Sequence, residues 1–309
     1  MSESSTISSK RALGFAMGSH VIWGSMPLYL LLVSKVPVFE FVAWRTLFTL
    51  PLCLVVIVIW GMQEELLQVL RDRRTLFTLM GSASMIAINW CLYVWAIQSG
   101  HVYAASLGYY ILPLVMMLLG LIFLGEKLSR RQWAAVILAA MGVSALSAGA
   151  LTTLWVSLTC GITFGIYGLL RKTVAAGPLV GLAVEALLLM PLVIGYLVWL
   201  SLAGGGLVMG RDLGESLAIV AGGPMTAVPL IMFATAARAM PYTVIGFLQF
   251  TSPTIVFFMG LLIFGEELKP AQLACFVAIW AAAALFTWEL FRGARARRAA
   301  TRLAEQRGQ

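Results

Sequence analysis

The stretch AASLGYYILPLVMMLLGLIFLGEKLSRRQW, residues 104–133, has a second version 140 residues later, VIGFLQFTSPTIVFFMGLLIFGEELKPAQL, residues 244–273. At this constant offset, and without a gap, four features coincide: Pro113 with Pro253, Gly120 with Gly260, Gly125-Glu126 with Gly265-Glu266, and Gln132 with Gln272. Each copy is an apolar segment that carries a proline in its first third and ends at a Gly-Glu pair. One constant offset over a whole segment is typical of an internal duplication, so the sequence predicts two related halves.

The composition places the chain in a lipid bilayer. Hydrophobic residues make up 61% and charged residues 11% of the sequence, and the mean hydropathy is +0.94. A soluble domain contains roughly 25% charged residues. Apolar runs of about 20 residues, long enough to cross a hydrocarbon core as helices, recur along the chain, and the alternating segments of a membrane β-barrel are absent. The predicted class is therefore an all-α polytopic membrane protein.

Ten apolar spans can be delimited, and they divide into two sets of five. Their predicted ranges are 12–34, 37–60, 74–98, 102–124, 129–149, 152–171, 178–201, 216–238, 241–264 and 269–291. The first five-helix repeat then covers 12–149 and the second 152–291, between an N-terminal tail at 1–11 and a basic tail at 292–309. A further short helix is predicted in the connection 61–74, at the membrane interface.

The positive charges indicate the orientation of the chain. The cations lie at the ends of the apolar spans and not on one basic face, so the net charge of +8 does not indicate a nucleic-acid partner. With the N-terminus inside, 17 of the 21 Lys and Arg residues fall on the cytoplasmic side, including Arg171, Lys172 and Arg238, and three fall outside. Both termini are therefore predicted on the cytoplasmic side of the inner membrane. Because each half has five spans, the halves have inverted topology.

Two ionisable residues fall deep inside predicted spans. Arg45 lies in the second span and Glu185 in the seventh, and the offset of 140 relates their positions. A charge at the bilayer centre costs roughly 2.5–3.5 kcal/mol, so such residues usually have a partner or a function. We expect Arg45 and Glu185 to interact or to share a polar cavity. Two roles stay open, a structural ion pair between the halves and the handling of substrate or protons.

Other polar and aromatic side chains within the spans form a candidate substrate cavity, because together they offer stacking faces and hydrogen-bonding groups. They are His20, Trp23, Tyr29, Asn89, Trp90, Tyr93, Ser106, Tyr109, Tyr110, Tyr167, Gln249 and Thr251. For each of them the alternative is a place in an interfacial aromatic belt or a helix–helix hydrogen bond. His20 has no second ligand one turn away, and the four cysteines have no metal-site spacing. Neither a metal nor a cofactor is predicted.

Two pairs of glycines are assigned to structure. Gly161 and Gly165 form a small-xxx-small pattern that allows close helix packing. Gly125 and Gly265 are predicted to end helices in the left-handed conformation that favours glycine.

Six motifs occur in order along the chain: WGSMPLY at 23–29, VPVFEFVAWR at 36–45, NWCLYVWA at 89–96, AASLGYYILP at 104–113, FGIYGLLRK at 164–172 and GFLQFTSP at 246–253. Together they resemble the EamA-domain branch of the drug/metabolite transporter superfamily, and within it the RarD-type permeases. The resemblance implies two inverted five-helix repeats that move a small organic solute by alternating access. It also implies a central cavity between the first, third and fourth spans and the sixth, eighth and ninth. Gln249-Phe250 replaces Tyr109-Tyr110 in the second copy, so this cavity should be asymmetric in polarity.

The predicted function is that of a secondary transporter, a permease without an enzymatic step. Its expected partners are a small metabolite or drug, the lipid bilayer and, as candidate coupling ions, protons; solute exchange is the other candidate mode. No GxxxxGK[ST] loop is present, which excludes ATP-driven transport by this chain alone. A membrane enzyme is disfavoured because HExxH is absent and both aspartates lie in connections. A channel or a non-transporting sensor or scaffold remains the alternative.

Overall fold

The structure, a computed structural model, is described for residues 8–99, 102–147, 151–152, 154–203, 206–265 and 270–307. Within these ranges the chain folds into helices joined by short connections. In chain order the α-helices are α1 Ser9–Leu32, α2 Val38–Ile59, α3 Gln63–Arg71, α4 Arg73–Gln98, α5 Val102–Phe123, α6 Arg130–Ser147, α7 Leu154–Thr173, α8 Pro178–Leu202, α9 Leu213–Ala239, α10 Tyr242–Leu248, α11 Thr251–Leu262 and α12 Pro270–Arg307. The predicted all-helical class is confirmed for the described part of the chain.

Eight helical segments of the described residues are long and apolar enough to cross a membrane. The sequence predicts ten spans, and the two that fall short are α5 and α6. α5 is itself 22 residues long, Val102–Phe123, but only Leu107–Phe123 has described side chains, whereas α6 begins with Arg130, Arg131 and Gln132, which lower its mean hydropathy. The short helix predicted after α2 is present as α3, and α12 continues through most of the predicted basic tail.

The ninth predicted span, 241–264, is interrupted in the structure. α10 and α11 together form the apolar run Tyr242–Leu262. At their junction the hydrogen bonding is of the 3₁₀ type, from Ser252 N to Gln249 O three residues back, at 3.3 Å. Pro253 contributes to the interruption, because it has no N–H to donate to the carbonyl four residues back. The predicted span at 241–264 is present as the apolar run Tyr242–Leu262, with a break between its two helices.

Helices at equivalent positions in the two halves pack against one another. α2 packs on α8, α5 on α10, and α6 on α12. Two other contacts each have an equivalent under the same offset. The contact of α5 with α7 corresponds to that of α11 with α1, and the contact of α4 with α7 corresponds to that of α9 with α1. Buried side chains such as Ile57, Leu79, Met116 and Phe233 fill the space between these helices. A second cluster, which includes Ala139 and Phe286, fills the space between α6 and α12.

The α5–α7 contact depends on glycine. A Cβ added at Gly108 would lie 2.9 Å from Cβ of Cys160, and one at Gly161 would lie 3.4 Å from the carbonyl oxygen of Gly108. One at Gly165 would lie 2.9 Å from Val115. The close approach predicted from Gly161 and Gly165 is confirmed, and Gly108 supplies the matching surface on α5.

The glycine that follows α5 also has the predicted role. Gly125 and Gly265 have φ of +61° and +66°, so both have the left-handed conformation of a helix C-terminus. The next residue, Glu126, contacts another helix. Its carboxylate accepts hydrogen bonds from the backbone N–H of Tyr242, at 2.5 Å, and of Thr243, at 2.8 Å. Glu126 therefore ties the end of α5 to the start of α10, while its counterpart Glu266 lies outside the described residues.

Candidate substrate cavity

A cavity of about 270 Å³ lies between the helices of the two halves. Its walls come from α1, α2, α4, α5, α7, α9 and the α10–α11 junction. The lining is mainly aromatic and aliphatic, with few polar groups: Trp23, Met26, Pro27, Leu30, Val38, Phe41, Val42, Arg45, Asn89, Trp90, Tyr93, Tyr109, Tyr110, Phe164, Met225, Thr226, Leu230, Gln249, Ser252, Pro253 and Val256. Ligand sites usually measure roughly 300–1,000 Å³, so this cavity suits a small solute.

Arg45 is the charged residue of the cavity wall. Its guanidinium carbon lies 4.0 Å from the ring centre of Trp90, a cation–π contact, and the side chain is half-buried. Its Nε has no hydrogen-bond partner among the described residues. The lining residues include no Asp or Glu. The cavity wall therefore carries a positive charge without a carboxylate beside it.

Two side-chain amides add hydrogen-bonding capacity to the cavity wall. Asn89 Nδ2 donates to the carbonyl oxygen of Cys160 at 2.8 Å and to Oγ1 of Thr163 at 3.2 Å, which fixes the amide against α7. In the described part of the chain, Oδ1 of Asn89 and Oε1 of Gln249 have no donor. The two amides therefore have acceptor oxygens that no group of the described residues satisfies.

Aromatic rings form two faces of the cavity. On one side Trp23 packs edge-on against Phe164, with ring centres 5.6 Å apart at 84°. On the other side Tyr93 packs edge-on against Tyr109, at 5.6 Å and 76°. Edge-to-face packing of this kind holds the rings in place and leaves flat apolar faces available to a ligand.

Seven of the twelve candidate residues from the sequence line this cavity: Trp23, Asn89, Trp90, Tyr93, Tyr109, Tyr110 and Gln249. His20 does not reach it, because its side chain is fully buried behind Trp23, with the ring centres 5.8 Å apart. Neither ring nitrogen of His20 has a partner among the described residues.

Three other candidates lie outside the cavity lining, and the fourth, Ser106, is not described at its side chain. Tyr29 donates its hydroxyl to a carbonyl oxygen of α9 at 2.8 Å. Thr251 points its hydroxyl toward a methionine sulfur of α1, 4.0 Å away, and Tyr167 borders a separate small void. Ser106 belongs to α5, but its side chain lies outside the described part of the structure.

The structure replaces the expected pairing of Arg45 with Glu185. Glu185 lies beside Arg171, with Nε of the arginine 3.7 Å from Oε1, and the two side chains are 1% and 2% exposed. Ser82 donates its hydroxyl to the same oxygen at 2.6 Å, and Arg171 Nη2 donates to the carbonyl oxygen of Pro178 at 2.7 Å. The offset of 140 makes Arg45 and Glu185 equivalent, but equivalence under an internal repeat does not require contact.

A small void lies beside Glu185. It measures about 20 Å³, which is room for one water molecule, and Oε2 of Glu185 has no partner among the described residues. Trp90, Thr226 and Leu230 border both this void and the large cavity. The buried carboxylate is thus separated from the cavity by one layer of side chains.

The cavity reaches one end of the bundle, and the other end is tied by polar contacts. Leu30 and Val38, at the end of α1 and the start of α2, belong to its wall. α9 starts at that end and extends roughly 40 Å along its axis. At the far end of α9, Lys172 donates to the carbonyl oxygens of Ala237 and Met240, at 2.6 Å each. Arg238 donates to the carbonyl oxygens of Val174 and Ala176, just after α7, at 2.8 Å each. Together with Glu126, these residues connect the helix ends there.

The sequence predicts Arg171 as a charge in a cytoplasmic connection, whereas the structure buries it inside the bundle beside Glu185. The residue stands at the end of an apolar run, where cations usually mark the membrane surface. A signal for its burial exists, since Cys160, Phe164, Tyr167 and Arg171 follow one another at spacings of four, three and four. All four are buried, so Arg171 continues the inward face of α7.

Comparison with known proteins shows which family this chain resembles. The profile of the EamA-like transporter family matches residues 10–148. A solved crystal structure matches the fold with a TM-score of 0.71 over 91% of this chain and 98% of that chain, at 16% identity.

Three relatives align over nearly the whole chain. An uncharacterized transporter of Pseudomonas aeruginosa is 39% identical and covers 91% of this chain and 95% of its own length. The protein RarD of Streptomyces exfoliatus is 36% identical, with coverages of 94% and 92%, and the protein RarD of Escherichia coli is 33% identical, with 89% and 93%. With eight apolar segments long enough to cross a membrane among its described residues, the chain is an integral membrane protein. It belongs to the EamA-like transporter family, in the RarD group of that family.

Proposed function

We propose that this protein is a permease, a secondary transporter that carries a small organic solute across the cytoplasmic membrane by alternating access. The observation that supports it most is the cavity of about 270 Å³ between the two halves, lined by aromatic rings, two amides and Arg45. A chamber with stacking faces and few polar groups is typical of a small-molecule site. The relatives named as transporters support the same class of function.

The proposed architecture has ten spans in two inverted repeats, 12–149 and 152–291, with both termini in the cytoplasm. α5 and α6 are then the fourth and fifth spans, and α10 with α11 is the ninth. The offset of 140 residues and the packing of α2 on α8, α5 on α10 and α6 on α12 support this arrangement, because helices that lie close to a twofold axis can pack against their own equivalents.

Alternating access needs a cavity that opens at one end while the other end is closed. The cavity wall extends to Leu30 and Val38, at the end of the bundle that the topology assigns to the outside. The contacts of Glu126, Lys172 and Arg238 lie at the opposite end. Breaking these contacts would free α7, α9 and α10 to separate at the cytoplasmic side.

Proton coupling is proposed to use Glu185. The carboxylate is buried, has an unpaired oxygen, and lies one layer of side chains from the cavity. Protonation of Glu185 would remove the charge that attracts Arg171. Because α4 and α7 contribute both to this ion pair and to the cavity wall, the loss of attraction can alter the cavity. A pure exchange mechanism is the alternative, in which pH has no effect on solute flux.

Counterflow in liposomes tests the carrier function. Purified protein is reconstituted, vesicles are loaded with an unlabelled metabolite from a panel, and entry of the labelled compound is followed. A carrier produces a transient, saturable overshoot with at least one compound. Unsaturable entry indicates a channel, and the absence of flux with any compound indicates a sensor or scaffold; either result contradicts the proposal.

The coupling proposal is tested separately with Glu185→Gln, using Glu185→Asp as the control that retains an ionisable group. Both variants are assayed only as monodisperse protein. We expect Glu185→Gln to keep exchange and to lose the stimulation by a pH gradient, whereas Glu185→Asp keeps both. A pH response of Glu185→Gln equal to that of the unmodified protein would eliminate Glu185 as the proton site.

A further inference from the structure

We infer that the solute of this cavity is an organic anion, a carboxylate attached to an apolar or aromatic body, and that Arg45 binds its charged group. The inference rests on the proposed transport function and specifies the substrate class of the same site. It starts from the charge of the cavity wall, where Arg45 is present and no acidic side chain lines the cavity among the described residues.

The hydrogen-bonding state of Arg45 indicates that its partner comes from outside the chain. A guanidinium has five N–H donors and remains protonated in proteins. The contact with Trp90, 4.0 Å from ring centre to guanidinium carbon, stabilises the charge but uses none of these donors. Among the described residues no carboxylate lies within ion-pair distance of Arg45, and its Nε has no acceptor. The guanidinium of Arg45 therefore lacks an anionic partner among the described residues.

Placing the charge of Arg45 inside the helix bundle costs free energy, and a bound anion would offset part of this cost. An arginine inside a membrane protein usually faces a cavity or pairs with an anion. The other buried arginine of the bundle, Arg171, has both a carboxylate, Glu185, and a carbonyl partner. Arg45 has neither, although it lies in the wall of the cavity of about 270 Å³. Its environment is that of a binding residue, whereas the environment of Arg171 is that of a structural ion pair.

The neighbours of Arg45 define the rest of the solute. Tyr93 and Tyr109 line the same cavity as Arg45, and their hydroxyls are the further donors that we assign to the carboxylate. Trp23 and Phe164 provide the apolar face on the α1 and α7 side. A planar carboxylate fits the fork of an arginine through two parallel hydrogen bonds, and an aromatic ring fits the apolar face. A small aromatic carboxylate matches both parts.

Three solutes of one shape and different charge test the inference: 3-phenylpropionate, 3-phenylpropanamide and 3-phenylpropylamine. Binding to the purified full-length protein is measured by calorimetry, and exchange is measured by counterflow. We expect the carboxylate to bind at least about tenfold more tightly than the amide, because hydrogen bonds between two charged groups are stronger than those to a neutral amide. The amine should show no saturable exchange.

Variants then locate the anion. Arg45→Gln should weaken carboxylate binding by about tenfold or more and leave amide binding within about twofold, while Arg45→Lys keeps part of the preference. Arg131→Gln is the control, since that exposed arginine lies outside the cavity. Equal affinities for the three solutes, a preference for the amine, or a carboxylate preference that survives Arg45→Gln would overturn the inference.

The failure of this inference differs from the failure of the proposed function. If other metabolites exchange saturably while the phenyl carboxylate neither binds nor exchanges, the carrier function stands and the anion assignment is wrong. If no compound exchanges, both are wrong. Because the three solutes are compared on the unmodified protein, the result does not depend on whether Arg45→Gln folds.

Discussion

Arg171 and Glu185 form an ion pair, Nε to Oε1 3.7 Å, that joins the last turn of α7 to the first half of α8 inside the bundle. Both side chains are almost completely buried, and Ser82 donates a hydrogen bond to the carboxylate. The pair connects two helices that follow each other in the chain, and α4 contributes through Ser82. It therefore fixes the positions of three helices around the void beside the cavity.

Removal of one partner of this pair should destabilise the protein strongly. Arg171→Gln leaves the Glu185 carboxylate buried without its counter-charge, and breaking a buried pair in this way costs about 3–5 kcal/mol. Arg131→Gln is the control, because it breaks an exposed ion pair. The side chains of Arg131 and Glu289 are 43% and 20% exposed, so this variant should lose no more than about 1 kcal/mol of stability. Thermal unfolding in detergent measures both. Equal losses for the two variants would show that the buried pair has no special role.

Glu126 should hold α10 in place. Glu126→Ala removes the acceptor of two backbone N–H groups, those of Tyr242 and Thr243, at the start of α10. Hydrogen bonds to a charged group contribute about 1.5–3 kcal/mol, so we expect faster hydrogen exchange of the α10 amides and little change in α1. Glu64→Ala, on the exposed side of α3, is the control and should leave α10 unchanged. Identical α10 exchange in both variants would refute this role.

The α5–α7 contact should not tolerate a methyl group. Gly108→Ala places a Cβ 2.9 Å from Cβ of Cys160 and 3.1 Å from the carbonyl oxygen of Ser157, and backbone atoms cannot yield as a flexible side chain does. Overpacking of this kind costs about 1–3 kcal/mol. Gly195→Ala meets no atom within 4 Å and, as a helical glycine replaced by alanine, should be neutral or slightly stabilising. The prediction fails if the two variants unfold at the same temperature.

The sequence predicts the helices better than their contacts. Apolar runs reveal the helices because the bilayer thickness sets their length, and polar residues within them reveal part of the cavity, such as Asn89 and Trp90. Contacts depend on how each helix is rotated about its axis, which a single offset does not determine. For this reason the sequence relates Arg45 to Glu185, whereas the structure places Trp90 beside the first and Arg171 beside the second.

The interruption at the α10–α11 junction has a similar explanation. Pro113 and Pro253 occupy equivalent positions, but α5 continues through its proline while the helix before Pro253 ends at Leu248. Local sequence around a proline permits either outcome, and the packing of neighbouring helices decides between them. Gln249 lies at this junction and lines the cavity, so the break also sets one wall of the site.

Side-specific labelling of a cavity residue tests most directly that the chamber opens to one face of the membrane at a time. Met225→Cys is introduced into a variant whose four native cysteines are replaced by serine, and a membrane-impermeant thiol reagent is applied to right-side-out or inside-out vesicles. We predict that transported solute slows the labelling, and that adding Glu126→Ala, which loosens the inner end, speeds labelling from the cytoplasmic face while slowing it from the outer face. Equal labelling from both faces, unaffected by solute and by Glu126→Ala, would contradict alternating access.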